Sequence, residues 1–188
     1  MPYDAQKHHR RSIRLEGHDY TGPGGYFLTI VSYQRENLFG EILNNDVNLN
    51  KFGRTAQREW DRLETRFNKI VLDAFVVMPN HVHGIILIEE NHTEGMPQEP
   101  DLKFNAGNSP EKFGKPVRGS IATIARSYKS SVSYRINLMR LSSGQPVWQR
   151  NYYEHIIRNE KELAQLRKYI LENPLVWEKD AENPRSQM

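Results

Sequence analysis

The sequence contains no cysteine. That absence excludes a disulfide scaffold, a thiolate zinc site and a cysteine nucleophile together. There is also no run of about 18 apolar residues, the length a membrane-crossing helix needs. The first twenty residues, MPYDAQKHHRRSIRLEGHDY, lack the apolar stretch of a signal peptide. The expectation is a soluble cytoplasmic protein with no membrane partner. A third absence is of acid: no Asp or Glu lies between Glu111 and Glu154. That stretch holds Lys112, Lys115, Arg118, Arg126, Lys129, Arg135, Arg140 and Arg150, so eight positive charges fall in a chain of net charge only +3. The remainder is therefore net acidic. A smaller basic cluster, Lys7, Arg10, Arg11 and Arg14, lies near the N-terminus. Concentrated basic charge is what a polyanion-binding face requires, and it is equally what a merely solvated surface can show.

What is present suits one globular domain. The chain has 188 residues, 37% of them hydrophobic and 26% charged, enough apolar material for a two-layer core. Residues 1–25 read as a basic N-terminal extension, 26–177 as the folded domain and 178–188 as a C-terminal tail. The run Tyr26 to Val31 is aromatic and β-branched and reads as a buried strand. Phe52, Ala56, Trp60, Leu63 and Phe67 recur at three or four residues, predicting a helix over about 50–68. Two apolar runs, 70–78 and 81–88, meet at Pro79-Asn80 and predict a hairpin. Residues 91–118 have no periodicity and read as a long loop. Ile121, Ile124, Tyr128, Val132 and Ile136 form the stripe of a second helix whose outer face carries Arg126, Lys129 and Arg135. A short strand is expected within 147–157. Asn159 then caps a last helix over about 160–172, with Glu162 as capping-box partner and Pro174 beyond its end. This order predicts an α+β sandwich: an antiparallel sheet with helices packed on one face.

His81 and His83 stand two apart in a predicted strand, so both imidazoles project from one face. Two neutral imidazoles side by side form a natural metal pair, although such pairs also serve structural roles. The last helix places Tyr169 and Asn173 at i and i+4, on one face. A His, His, Asn set with open positions suits Mg2+ or Mn2+ better than a closed zinc site. Glu172 points about 100° away from that face. A phenol beside such an ion can attack a phosphodiester and form a covalent phosphotyrosine. The alternative reading is that Tyr169 packs against the sheet with Leu166 and Ile170.

Several segments taken together resemble a known family. They are Met78-Pro79-Asn80-His81-Val82-His83, then Tyr128-Lys129-Ser130, then residues 147–159 (VWQRNYYEHIIRN), and finally Tyr169-Ile170-Leu171-Glu172-Asn173-Pro174. In this order, over about residues 26–177, they are similar to the HUH single-tyrosine transposases, and within these to the REP-associated tyrosine transposases. The resemblance implies a ferredoxin-like, RRM-like fold, a divalent metal held by His81 and His83, Tyr169 as nucleophile and Asn173 as third ligand. It implies a metal-dependent, single-strand DNA endonuclease and strand transferase. Such an enzyme would act on hairpin-forming palindromic repeats through a 5′-phosphotyrosine, as a monomer or homodimer associated with the nucleoid.

Groups suited to DNA surround these positions. Arg118, Arg126, Lys129, Arg150 and Arg158 can meet phosphates, Trp148, Tyr152 and Tyr153 can stack on unpaired bases, and His155 can contact phosphate or bond within the fold. Tyr152 and Tyr153 are secondary nucleophile candidates that lack a ligand-type residue at helical spacing. Two other readings compete. One is a non-catalytic nucleic-acid binding module on the same fold. The other is an HxH hydrolase of small molecules, against which stand the short chain and the absence of GxSxG and HExxH patterns.

Overall fold

The structure is a computed structural model and describes residues 20–89 and 117–184. The N-terminal basic cluster, Lys112, Lys115 and nearly all of the expected 91–118 loop lie outside the described residues. Among the described residues six strands and four α-helices follow in order: β1 (Gly24–Val31), β2 (Gly40–Leu43), β3 (Asp46–Leu49), α1 (Lys51–Asp61), α2 (Leu63–Arg66), β4 (Ile70–Val77), β5 (His81–Ile88), α3 (Ile121–Met139), β6 (Tyr153–Ile157) and α4 (Glu160–Glu172). The main sheet has the order β4-β5-β1-β6 and is antiparallel throughout. With α1 and α3 as the two crossovers, this is the split βαβ arrangement of a ferredoxin-like fold. The expected α+β class is therefore the one present.

Alternation along the strands divides the molecule into two layers of packing. Tyr26, Leu28 and Ile30 of β1 and Val82, Ile86 and Ile88 of β5 face a core closed by Trp60 of α1 and Ile121, Ile124, Tyr128, Val132 and Ile136 of α3. The intervening residues Phe27 and Ile85 face the other side, where they pack with Leu163, Leu166 and Ile170 of α4. Two long helices thus cover one face as expected, while the last helix lies on the opposite one. An apolar stripe at helical spacing states that a helix packs on the sheet, but not on which side.

Local chemistry sets the element ends. Asn50 caps α1, its side chain accepting from the Phe52 and Gly53 amides. The expected 50–68 helix is broken at Arg62 into α1 and α2, while the whole apolar stripe from Phe52 to Phe67 still packs on the core. Asn159 caps α4 by accepting from the Glu162 amide at 2.9 Å. The Glu162 carboxylate reaches back to the amide of Arg158, one residue before the N-cap amide that a capping box uses, while its other oxygen holds His155 at 2.7 Å. The β2–β3 hairpin, which no strong apolar alternation announces, turns on Asn44 and Asn45 at φ 52° and 66°, the two-residue geometry that Asn tolerates. Glu59 is buried between α1 and α3 and is met by Arg62, Arg66 and Arg135. Burial raises its pKa, but the Arg66 and Ser131 hydrogen bonds and the neighbouring guanidinium groups bring the net shift below the usual value.

Gly84 of β5 faces the core and has no room for a side chain. The Trp60 ring stacks on Phe75, centroids 4.3 Å apart, and a Cβ on Gly84 would lie 2.4 Å from Trp60. Gly84→Ala is expected to destabilise the fold by about 1–3 kcal/mol through overpacking. Urea denaturation of the variant, with an unchanged midpoint as the contrary result, checks this.

Candidate functional site

The two histidines open β5, a central strand, and their register with β1 is Val31 to His81 and Thr29 to His83. Both side chains therefore stand on the α4 side of the sheet. They are buried, at 0% and 3% exposure, and their Nε2 atoms approach to 3.0 Å. The far nitrogens are also held: His81 Nδ1 lies 2.8 Å from Asn80 Oδ1, and His83 Nδ1 lies 2.8 Å from Thr29 Oγ1. Phe27 stacks on His83 at 5.3 Å between centroids, and Trp177 covers His81 at 6.0 Å. Burial pushes the His81 pKa down to about 3, with Arg35 adding to the effect. Burial lowers that of His83 as well, so both rings are neutral at physiological pH.

The chain leaves β6 at the far end of the sheet, and α4 brings it back to the histidines. Tyr169, in the last turns of α4, is 42% exposed and places its hydroxyl 3.3 Å from His83 Nε2. Burial raises its pKa above the usual phenol value, and Asp180 adds to this, while the neighbouring Asn173 amide opposes it. Asn173 is fully buried just past the helix. Its Nδ2 donates to Asp180 Oδ2 at 2.9 Å, and its Oδ1 is buried with no hydrogen-bond partner among the described residues. The expected His, His, Tyr and Asn are thus brought together.

A fifth group was not legible in the sequence. Asp180 lies in the segment read as a tail, beyond a 3-10 turn over Asn173–Lys179. Its carboxylate and the nitrogens of His81 and His83 lie within 4.8 Å of one another. The Glu182 amide fixes Asp180 Oδ1 at 2.6 Å. Two imidazole nitrogens and a carboxylate converging in a buried place, with the orphaned amide oxygen of Asn173 on the residue bonded to that carboxylate, are a donor set that fits a divalent cation. Sequence spacing carries no sign of Asp180, because irregular backbone and not a helix or strand period delivers it.

The remaining candidates divide. Tyr153 is 51% exposed on the histidine side, edge-on to Phe27 at 6.5 Å. His155 shares that side but is tied to Glu162, joining β6 to α4. Arg158 is exposed at the far end of β6. Tyr152 turns inward and donates to Glu154 at 2.8 Å, and Trp148 is a core residue at 6% exposure. On α3, across the sheet, Lys129 is not a free surface cation. Its Nζ donates to the carbonyls of Gln149, Arg150 and Asn151 at 2.7, 3.0 and 3.2 Å, and burial lowers its pKa to about 8. Arg135 is engaged with Glu59, and Arg140 lies over the Phe52 ring. Arg118, Arg126 and Arg150 remain exposed, and the latter two line a groove of about 470 Å³ between α3 and the 145–152 segment. No helix among the described residues is long and apolar enough to cross a membrane.

No protein-family model matches the chain. An uncharacterised protein of Haemophilus influenzae is 42% identical over 178 residues, covering 95% of each chain. A second protein of that organism, named provisionally as a REP-associated tyrosine transposase, is 27% identical over 157 residues, which is 84% of this chain and 73% of its own. Among solved structures, a REP-associated tyrosine transposase bound to a REP hairpin matches with a TM-score of 0.52 at 18% identity, over 88% of this chain and 72% of that one. The chain therefore belongs to the same family as the first of these proteins, and it has the fold, and shares in sequence the likeness, of the REP-associated tyrosine transposases that its motifs resemble.

Proposed function

We propose that the protein nicks and rejoins single-stranded DNA beside a hairpin, with Tyr169 as nucleophile and a divalent cation held by His81, His83 and the oxygens of Asp180 and Asn173. The observation that carries this reading is the Tyr169 hydroxyl, half exposed yet 3.3 Å from one of two buried imidazole nitrogens that face each other at 3.0 Å. Mg2+ or Mn2+ bound there would polarise the non-bridging oxygens of the scissile phosphate and favour the phenolate. Tyr169 supplies the attacking oxygen: its bond to phosphorus forms as the bond from phosphorus to the 3′-oxygen breaks, and the 3′-oxygen leaves to become a free hydroxyl. The product is a 5′-phosphotyrosyl link, and attack by another 3′-hydroxyl reverses the step. No external energy source is needed. Burial raises the Tyr169 pKa, so the resting side chain is the neutral phenol.

The partner follows from the surface. The solved structure similar in fold is bound to a REP hairpin. In this chain, Arg118, Arg126 and Arg150 offer exposed guanidinium groups to a DNA backbone, and Tyr153 offers a ring face beside the site on which an unpaired base can stack. The groove and the site lie at one end of the sheet. Ser32 pairs with Trp148 at the groove wall and donates its amide to the Asn80 carbonyl at the base of the histidine strand.

Two outcomes test this reading. With an end-labelled hairpin carrying a single-stranded flank and Mn2+, the wild type should give a covalent protein–DNA adduct and a free 3′-hydroxyl. Tyr169→Phe should give no adduct while binding the hairpin within a few-fold of wild type. Undiminished cleavage by Tyr169→Phe removes this residue from the role. Binding without cleavage by the wild type, indifferent to His81→Ala, would make the protein a binding module. Acid stability tests the neutral histidines. The folded pKa of His81 is about 3 against about 6.5 unfolded, so the unfolded chain binds the extra proton between those limits. In EDTA, stability should be full above pH 6.5 and fall below it by up to about 1.4 kcal/mol per pH unit for each histidine. Urea unfolding at pH 7 and 5 measures the slope, which His81→Gln should flatten.

A further inference from the structure

The turn between β4 and β5 carries a side chain that the reaction above does not use. Asn80 is completely buried, and the backbone around it is pinned: Phe39 donates to the Pro79 carbonyl and Ser32 to the Asn80 carbonyl, at 2.9 and 2.7 Å. Its Nδ2 donates to the backbone carbonyls of Arg35 at 3.2 Å and Glu182 at 2.7 Å. Arg35 presents that carbonyl from a left-handed conformation, φ 58°. Both partners are carbonyl oxygens and cannot donate. Turning the amide over would set its own oxygen against two others, so the orientation is determined by chemistry. Oδ1 is thereby left 2.8 Å from His81 Nδ1 as an acceptor only.

We propose that Asn80 is a positioning residue that fixes His81 in the Nδ1–H tautomer, so that the Nε2 lone pair is aimed at the cation position before any cation arrives. This rests on the reading of His81 and His83 as metal ligands. The partner histidine is held differently. Thr29 Oγ1, at 2.8 Å from His83 Nδ1, can donate or accept. In the metal-free protein the lone pair on His81 Nε2 requires that His83 Nε2 carry the proton of their 3.0 Å contact, and Thr29 then donates to His83 Nδ1. With a cation between the rings, His83 carries its proton on Nδ1 and Thr29 accepts it. The pair is neutral in both states, gaining and losing no proton. His81 is preset and His83 adapts. The same amide also ties the 180–184 segment to the histidine strand through the Glu182 carbonyl. Loss of Asn80 would therefore disturb both the ring and the placement of Asp180.

The experiment uses the full chain labelled with 15N-histidine. Long-range 1H–15N correlation spectra in EDTA, with His81 assigned by its loss in His81→Gln, should show wild-type His81 protonated at Nδ1 and bare at Nε2. His83 should show the reverse and exchange its tautomer on addition of Mg2+. Asn80→Ala should give His81 as a tautomer mixture and weaken Mn2+ binding, read by electron paramagnetic resonance, by about 10–100-fold. A wild-type His81 protonated at Nε2 overturns the proposal whether or not the variants fold. So does an Asn80→Ala protein with the wild-type tautomer and Mn2+ affinity. A wild type with the stated His81 tautomer that binds no Mn2+ refutes the metal reading of the site, a failure distinct from that of the tautomer assignment.

Discussion

The antiparallel ladder between β1 and β5 is the interaction on which the rest depends. These are the two central strands, and their register places Thr29 opposite His83 and Val31 opposite His81. A strand has a period of two, so a slip of one residue would turn both imidazoles into the α1–α3 core and expose Val82 and Ile86 instead. That alternative would bury two polar rings among Trp60, Tyr128 and their neighbours without partners. The cost of an unpaired buried polar group, about 1–3 kcal/mol each, makes the observed register the one the sequence specifies.

Two faces of one sheet then do different things. On one, α1 and α3 close a large core by Trp60, Phe75 and Tyr128 stacking, and Glu59 neutralises part of the basic charge of α3. On the other, α4 needs only a small apolar contact, Leu163, Leu166 and Ile170 against Phe27 and Ile85, each such side chain worth roughly 1.5–3 kcal/mol when fully buried. The smaller contact leaves the last turn of α4 open, so Tyr169 is half exposed above the histidines. Rigid strands hold the imidazoles, a helix end supplies the phenol, and irregular chain supplies the carboxylate. On the proposed reading, this arrangement would combine fixed cation ligands with an accessible nucleophile.

Much of this is legible in the sequence, and the illegible parts share a cause. His81 and His83 are two apart in a strand and Tyr169 and Asn173 four apart in a helix, so local periodicity alone places each pair on one face. Periodicity does not relate one element to another. The side of the sheet taken by α4, the arrival of Asp180 and the two hydrogen bonds that orient Asn80 arise from tertiary packing. Lys129 shows the same limit from the charge side. In sequence it is one of eight cations on an acid-free stretch, whereas in space it holds three backbone carbonyls, and Arg135, though half exposed, is paired with the buried Glu59. Charge counts describe a stretch of chain, and only the fold says which charges face solvent.

The claim at the centre of this account is that the buried histidine pair beside Tyr169 is a cation centre. Anomalous diffraction from crystals of the full chain grown with Mn2+ measures it most directly. One strong anomalous peak is expected within ligand distance of His81 Nε2 and His83 Nε2, with an oxygen of Asp180 or Asn173 completing the protein ligands. Diffraction from such crystals with the two rings still in direct hydrogen bond and no peak between them would contradict it.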